Sequence, residues 1–379
     1  MIRCKFMHNH KRIGIFIICL LLILLSVFFV NRCNPYLRTD IFRKIAKGNW
    51  YIVTDKDTIF SVGYYGIKKS VIESNNKFKL LNENNEICKG RLFGRSACIV
   101  GDYIYIAMRS YVPGAVEDDV NGELIVMRKN NLTIINNIFS DIKLVEVHAL
   151  RNLLLVSGLK GFDIYNISSP KSPKIIFRHR TKKYKEFQGF DIFEIDNRTY
   201  VAFALYGDGL EIWDITNPSK AKSVSSLKLN DRIINGKRLY RLQSMDVIAD
   251  YPYLYATVGP MKDNFENINS IRGIIIYDVS NINRIKMSIV EIPKYAWYNK
   301  KTGDCQPTYI CKRNNNVFIN FSEKGIAIFK KRKRIPLSYI GTINPSNKET
   351  IIQPISISDD GYLLAGDYYW TNIYGIKYN

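Results

Sequence analysis

Two hydrophobic patterns divide the chain, and they predict different elements. Residues 13–30 read IGIFIICLLLILLSVFFV, eighteen positions without a charge. As a helix they rise about 27 Å, close to the roughly 30 Å of a bilayer's hydrocarbon core. Beyond residue 48 no sustained 3.6-residue period occurs. Short runs of alternating apolar and polar residues, separated by Gly, Asn, Asp and Pro, predict many short strands.

The strand pattern repeats. Its clearest copies are GFDIYNISSP from Gly161, GLEIWDITNP from Gly209 and GIIIYDVSN from Gly273. Weaker copies begin at Gly66, Gly122, Gly325 and Gly375, and the successive spacings are 56, 39, 48, 64, 52 and 50 residues. An apolar run precedes each glycine, for example TYVAFAL before Gly209 and YLYATV before Gly273. Each unit therefore holds a strand, a turn, a second strand and an Asp/Asn-(Ile/Val)-(Ser/Thr) turn, whose short polar side chains bond nearby backbone groups. Glycine at the strand entrance fits where a Cβ would obstruct. Units of about 50 residues with three or four strands are β-propeller blades. The predicted fold is all-β, a seven-bladed β-propeller over 49–379 preceded by a single N-terminal transmembrane helix. An open solenoid or a pair of sandwiches accounts less well for so regular a motif. The last unit ends at Asn379 without an outer strand, so a segment within 38–53 is expected to pair with the last blade.

These repeats resemble the LVIVD-repeat family of bacterial and archaeal surface β-propellers: three units match closely and four loosely, over most of 50–379. The resemblance implies the propeller fold and a surface location, and it carries no ligand.

The N-terminal organisation reads as a short cytoplasmic tail (1–12), an anchor (13–30) and a linker (31–48) that donates the closing strand. The apolar run exceeds the 7–15 residues of a cleavable signal, and no small-residue cleavage site follows it. A lipoprotein reading through Cys33 meets Arg32 where a small residue is expected. Lys11-Arg12 before the span against Arg32 after it favour a cytoplasmic N-terminus, which places the main domain extracytoplasmic.

Composition enters next. The 379 residues carry 55 Lys+Arg against 34 Asp+Glu, a net charge of +21. That balance suggests nucleic acid or an anionic membrane. Nine Lys/Arg and one Asp lie within 1–47, flanking the apolar run, so much of the excess belongs to membrane topology. The abundant aromatics follow the strand period, which indicates packing rather than base stacking, and no nucleic-acid partner is expected.

Candidate chemistry is sparse. Only His148 and His179 of the four histidines lie in the repeat region, and HExxH, GxSxG, P-loop and GxGxxG motifs are absent. Cys88, Cys98, Cys305 and Cys311 lack zinc-ribbon spacing. They are either free thiols or, for Cys305 and Cys311, a bridge. No metal and no cofactor are expected. Aligning the units places Ser96, Glu146, Asp191 and Asp246 at like positions on strands facing the central channel. There they either bond the neighbouring blade or line a ligand site. The expected function is a non-enzymatic, membrane-anchored scaffold binding a protein or a surface glycan. The alternative is a carbohydrate hydrolase or lyase using the channel carboxylates. The long segments 109–122, 259–273 and 294–307 mark the expected binding face.

Overall fold

The computed structural model describes residues 43–377 except 47–50, 65, 73–77, 89–91, 111–120, 184, 262–269, 298–305, 322–324, 334–335, 344–351, 359–360 and 368–372. The expected tail (1–12) and anchor (13–30) lie outside the described residues, as does most of the linker (31–48). Among the described residues no helix is long and apolar enough to cross a membrane.

From residue 51 onward the chain forms successive antiparallel sheets, numbered here in chain order. Their inner strands are Tyr51–Asp55 (sheet 1), Leu92–Val100 (sheet 2), Leu144–Leu150 (sheet 3), Phe190–Ile195 (sheet 4), Val247–Asp250 (sheet 5), Ile310–Arg313 (sheet 6) and Ile352–Ile357 (sheet 7). Each inner strand lies beside the next, and that of sheet 7 lies against that of sheet 1. The architecture is an all-β propeller. Six of its sheets are regular four-stranded blades, which corrects the expectation of seven like ones.

Sheet 5 departs from the rule for a local reason. Its inner chain pairs with Tyr253–Pro260 in two pieces, Leu242–Gln243 and Val247–Asp250, making a five-stranded sheet. Between the pieces, the N–H groups of Met245 and Asp246 both donate to Thr257 Oγ1 at 3.1 Å. A side-chain hydroxyl thus replaces a ladder carbonyl and bends the strand. Sheet 6 repeats the device just before its inner strand, where Asn320 Oδ1 accepts from the N–H groups of Thr308 and Tyr309.

Burial explains the repeat's apolar runs. Second strands such as Leu153–Gly158 and Arg198–Ala204 are buried along nearly their whole length, pressed between neighbouring sheets, so both faces are apolar. Outer strands such as Lys222–Leu227 face solvent and are polar. In the repeated turn, Asn166, Asp214 and Asp278 each accept, through Oδ1, the N–H two residues on, from Ser168, Thr216 and Ser280. The intervening Ile167, Ile215 and Val279 are buried. Gly209 shows why the motif opens with glycine. Its φ is +96°, and a Cβ there would lie 2.2 Å from the Leu227 carbonyl oxygen of the outer strand.

Sheet 7 is completed from the other end of the chain. Arg43–Ala46 pairs antiparallel with Ile373–Lys377, Arg43 standing opposite Gly375. This supplies the outer strand that the last repeat lacks.

Candidate functional site

Six inner strands present a residue at one shared register, four positions before the strand's last residue: Tyr51, Ser96, Glu146, Asp191, Asp246 and Tyr309. The four expected candidates are among them. The two tyrosines belong to sheets 1 and 6, where the repeat motif is degraded.

The polar members bind blade to blade. The Val147 N–H donates to Ser96 Oγ at 3.3 Å, and the Phe190 N–H to Glu146 Oε2 at 3.1 Å. The Ala249 N–H donates to Asp191 Oδ2 at 2.8 Å, and the Ile310 N–H to Asp246 Oδ2 at 2.9 Å. Each acceptor belongs to one sheet and each donor to the next. The remaining carboxylate oxygens are engaged as well. Asp191 Oδ1 and Asp246 Oδ1 accept from the N–H groups of Ile192 and Val247 at 2.8 Å, and Glu146 Oε1 lies 2.9 Å from His148 Nε2. Gly189 permits the closest approach, since a Cβ there would stand 2.1 Å from Asp246 Oδ1.

The electrostatics follow from this crowding. Burial alone would lower His148, but its hydrogen bond with Glu146 and the charges of Glu146, Asp191 and Asp246 raise it to about 9. Burial and then the Glu146 charge push Asp246 well above the usual carboxylate range. Burial also raises Asp191, against the opposing charge of His148. His148 therefore keeps its proton at neutral pH, facing the carboxyl groups of Glu146, Asp191 and Asp246 in the channel wall.

Ser96, Glu146 and Asp246 come together around a cavity of about 220 Å³; Asp191 does not reach it. Its wall also includes Tyr51, Arg95, Gln188, Gln306, Thr308 and Tyr309. Arg95 donates to Tyr309 Oη at 3.1 Å, Gln306 Nε2 donates to the Pro260 carbonyl at 3.1 Å, and Gln188 bonds Glu186. Most of these residues precede or begin inner strands, so the cavity occupies the end of the channel where those strands start. Successive strands reverse direction, so connections after second strands and after fourth strands leave from that same end. All three long segments qualify. Segment 109–122 follows the second strand of sheet 2 (Tyr103–Ser110), 259–273 follows that of sheet 5, and 294–307 follows the fourth strand of sheet 5 (Lys286–Glu291).

A ribbon unseen in the sequence, Ile233–Ile234 paired with Lys237–Arg238, stands on the same end between sheets 4 and 5. Beside it a cleft of about 430 Å³ is bounded by Lys237, Arg238, Arg272 and Lys294, with Glu291 its carboxylate. Lys237 pairs with Glu291 at 2.6 Å.

The other sequence candidates are structural. His179 packs on Trp213 with ring centroids 4.5 Å apart, and burial lowers its basicity. Cys88, Cys98 and Cys311 are free thiols, while Cys305 lies outside the described residues. Among the described residues no three His, Cys, Asp or Glu side chains gather into a metal site. The sequence reading missed Asp163, buried in the third strand of sheet 3 and held by Arg180 at 2.8 Å and Arg178 at 3.3 Å.

No protein-family model matches the chain, and no curated protein is similar to it by sequence. Solved structures are similar in fold. A chain of the mitotic checkpoint complex has a TM-score of 0.62 at 10% identity, covering 91% of this chain and 96% of its own. A Lactobacillus plantarum protein has a TM-score of 0.57 at 11% identity, covering 85% and 95%. The Pan2 WD40 domain of Neurospora crassa has a TM-score of 0.55 at 10% identity, covering 89% and 90%. At such identities these similarities establish the propeller fold alone.

Proposed function

We propose that this protein is a membrane-anchored extracytoplasmic β-propeller of the LVIVD-repeat type that holds one face toward a protein or surface-glycan partner. The anchor is the apolar run 13–30, with the short tail inside and the propeller outside. One observation carries the binding reading: the three long connections, the ribbon 233–238 and the mouth of the channel cavity share one end of the propeller. Irregular segments gathered on a rigid scaffold are where recognition resides.

The same geometry weighs against the hydrolase reading. Glu146, Asp191 and Asp246 each accept a backbone N–H of the next sheet, and Glu146 also bonds His148, so clamping the blades accounts for all three without a catalytic role. Replacing all three at once would open three seams and so could not separate binding from catalysis.

The test has two arms. Carbonate extraction and protease accessibility of intact cells should find the chain in the membrane with its propeller outside. Affinity capture with the full-length protein should recover a partner, and shortening 109–122 together with 259–273 should abolish capture while leaving the melting temperature in place. Capture that survives both truncations would sink the face assignment.

A further inference from the structure

The cavity at the end of the channel has properties that its blade-clamping residues do not require. A seam needs acceptors for backbone N–H groups, which Ser96, Glu146 and Asp246 supply. It does not need an arginine, two tyrosines and two side-chain amides around one hollow of about 220 Å³. We infer that this cavity is the binding site for one uncharged sugar residue, the terminal unit of the glycan read by the loop-bearing face. The inference rests on the scaffold function proposed above and specifies its ligand.

Size, chemistry and charge each support it. The hollow is smaller than the about 300–1,000 Å³ of drug-sized pockets and equals the volume of roughly seven waters, enough for a single ring. Its wall mixes donors and acceptors: Arg95 donates, Glu146 accepts, and the amides of Gln188 and Gln306 do both. A polyhydroxyl ligand, each of whose groups both donates and accepts, is what such a mixture satisfies. The Tyr51 and Tyr309 rings add flat apolar area with a polar tip, suited to the C–H face of a sugar. Charge decides against an ion. Within the cavity wall Arg95 stands against Glu146, and burial suppresses the ionisation of Asp246, so neither sign dominates. The polar wall is also preorganised, because Glu146 and Asp246 are pinned by the Phe190 and Ile310 N–H groups before any ligand arrives. Finally, the cavity lies at the end from which the long connections leave.

The test uses full-length protein in detergent micelles. Glucose, galactose, mannose and N-acetylglucosamine are titrated by saturation-transfer NMR and calorimetry, with glucuronate and calcium chloride as charged comparisons. The expected result is at least one neutral sugar binding with a Kd on the order of 1 mM. Tyr309→Phe and Gln306→Leu should each weaken it about five-fold, the loss of a single net hydrogen bond, while the lost bonds to Arg95 and Pro260 lower the thermal midpoint only slightly. Shortening the loops should leave the monosaccharide affinity unchanged. No neutral sugar bound at about 50 mM, wild-type affinity kept in both variants, or binding of glucuronate or calcium instead would each overturn the inference. If a partner is still captured in any of these cases, the scaffold reading stands and only its sugar site falls. If the wild-type protein captures nothing, it is the scaffold reading that fails.

Discussion

Sheets 3 to 5 and sheets 2 and 6 solve one packing problem in opposite ways. Where the third strand ends, the next backbone N–H bonds a carbonyl in, or just after, the turn between the first two strands of its own sheet. Ile167 does so to Asn152, Ile215 to Thr199 and Val279 to Pro252, while Lys129 bonds Asp102 and Lys331 bonds Asn315. The backbone is the same in all five, but the side chain is aliphatic in three and lysine in two. The difference is matched one sheet earlier, at the last residue of the inner strand. Opposite the lysines stand Asp55 and Asp250, at 2.6 Å from Lys129 and 2.5 Å from Lys331. Val100 shares the apolar cluster of Ile167, and Ile195 shares that of Val279. A seam between blades is thus specified as a pair, and either an apolar or an ionic pair satisfies it.

The largest effect should come from sheet 7, whose outer strand is supplied from the other end of the chain. Deleting 41–48 while keeping the anchor removes the strand Arg43–Ala46 from sheet 7 and exposes the edge of Ile373–Lys377. A loss of about 3 kcal/mol is expected in chemical denaturation, from three or so net backbone hydrogen bonds. An unchanged unfolding curve would mean that the side-chain seams alone hold the ring.

Mixing the two kinds of seam should cost nearly as much. Ile167→Lys places an ammonium opposite Val100, where the ionic seams carry an aspartate, a poorly paired buried charge worth about 3 kcal/mol of destabilisation. Adding Val100→Asp should recover at least about 1 kcal/mol, whereas Val100→Asp alone should destabilise. Strict additivity in this double-mutant cycle would break the pairing rule.

The ionic seams should carry a pH signature that the aliphatic ones lack. Burial would raise Asp250, but the hydrogen bonds of Lys331 and Lys312 outweigh it and hold the carboxyl below its usual range. Its folded value is depressed, so its contribution is full above the unfolded value of about 4 and disappears as pH falls through the folded one. Asp250→Val with Lys331→Ile converts this seam to the apolar form. Urea titrations should show the double variant losing less stability than the wild type between pH 7 and pH 3, by about 1 kcal/mol for so solvent-screened a pair. Equal acid sensitivity would leave the charge in the seam without a role.

What the sequence made legible was local. The turn acceptors Asn166, Asp214 and Asp278 bond within two residues, and the apolar second strands are continuous, so both repeat in the chain where they can be read. The shared register of Ser96, Glu146, Asp191 and Asp246 came from the same repeat. The lysine seams stayed hidden because their partners lie 74 and 81 residues away and because a lysine breaks the motif that identifies the unit. The break in sheet 5 depends on Thr257 Oγ1 reaching a neighbouring strand, which no alternation of hydrophobicity records. The cavity wall was missed for a third reason. Gln188 and Gln306 lie outside strands, and Tyr51 and Tyr309 read as ordinary aromatic strand residues until the register puts them beside the carboxylates.

The smallest effect sharpens the comparison by moving it into the channel, where a third kind of seam combines backbone donors with a shared charge. His148 stands between Glu146 of its own strand and the Phe190 ring of the next sheet, 4.9 Å between centroids. Its folded value of about 9 lies above the unfolded 6.5, so the stability it contributes is complete below pH 6.5 and fades as pH rises through 9. His148→Gln keeps a hydrogen-bond donor for Glu146 and removes the titration. Allowing for water in the channel, it should cost on the order of 1 kcal/mol at pH 6 and close to nothing at pH 10. The two denaturation curves should therefore converge on the alkaline side, the reverse of the Asp250 seam, whose contribution vanishes in acid. A constant gap between pH 6 and pH 10 would show that His148 acts there through packing on Phe190 alone.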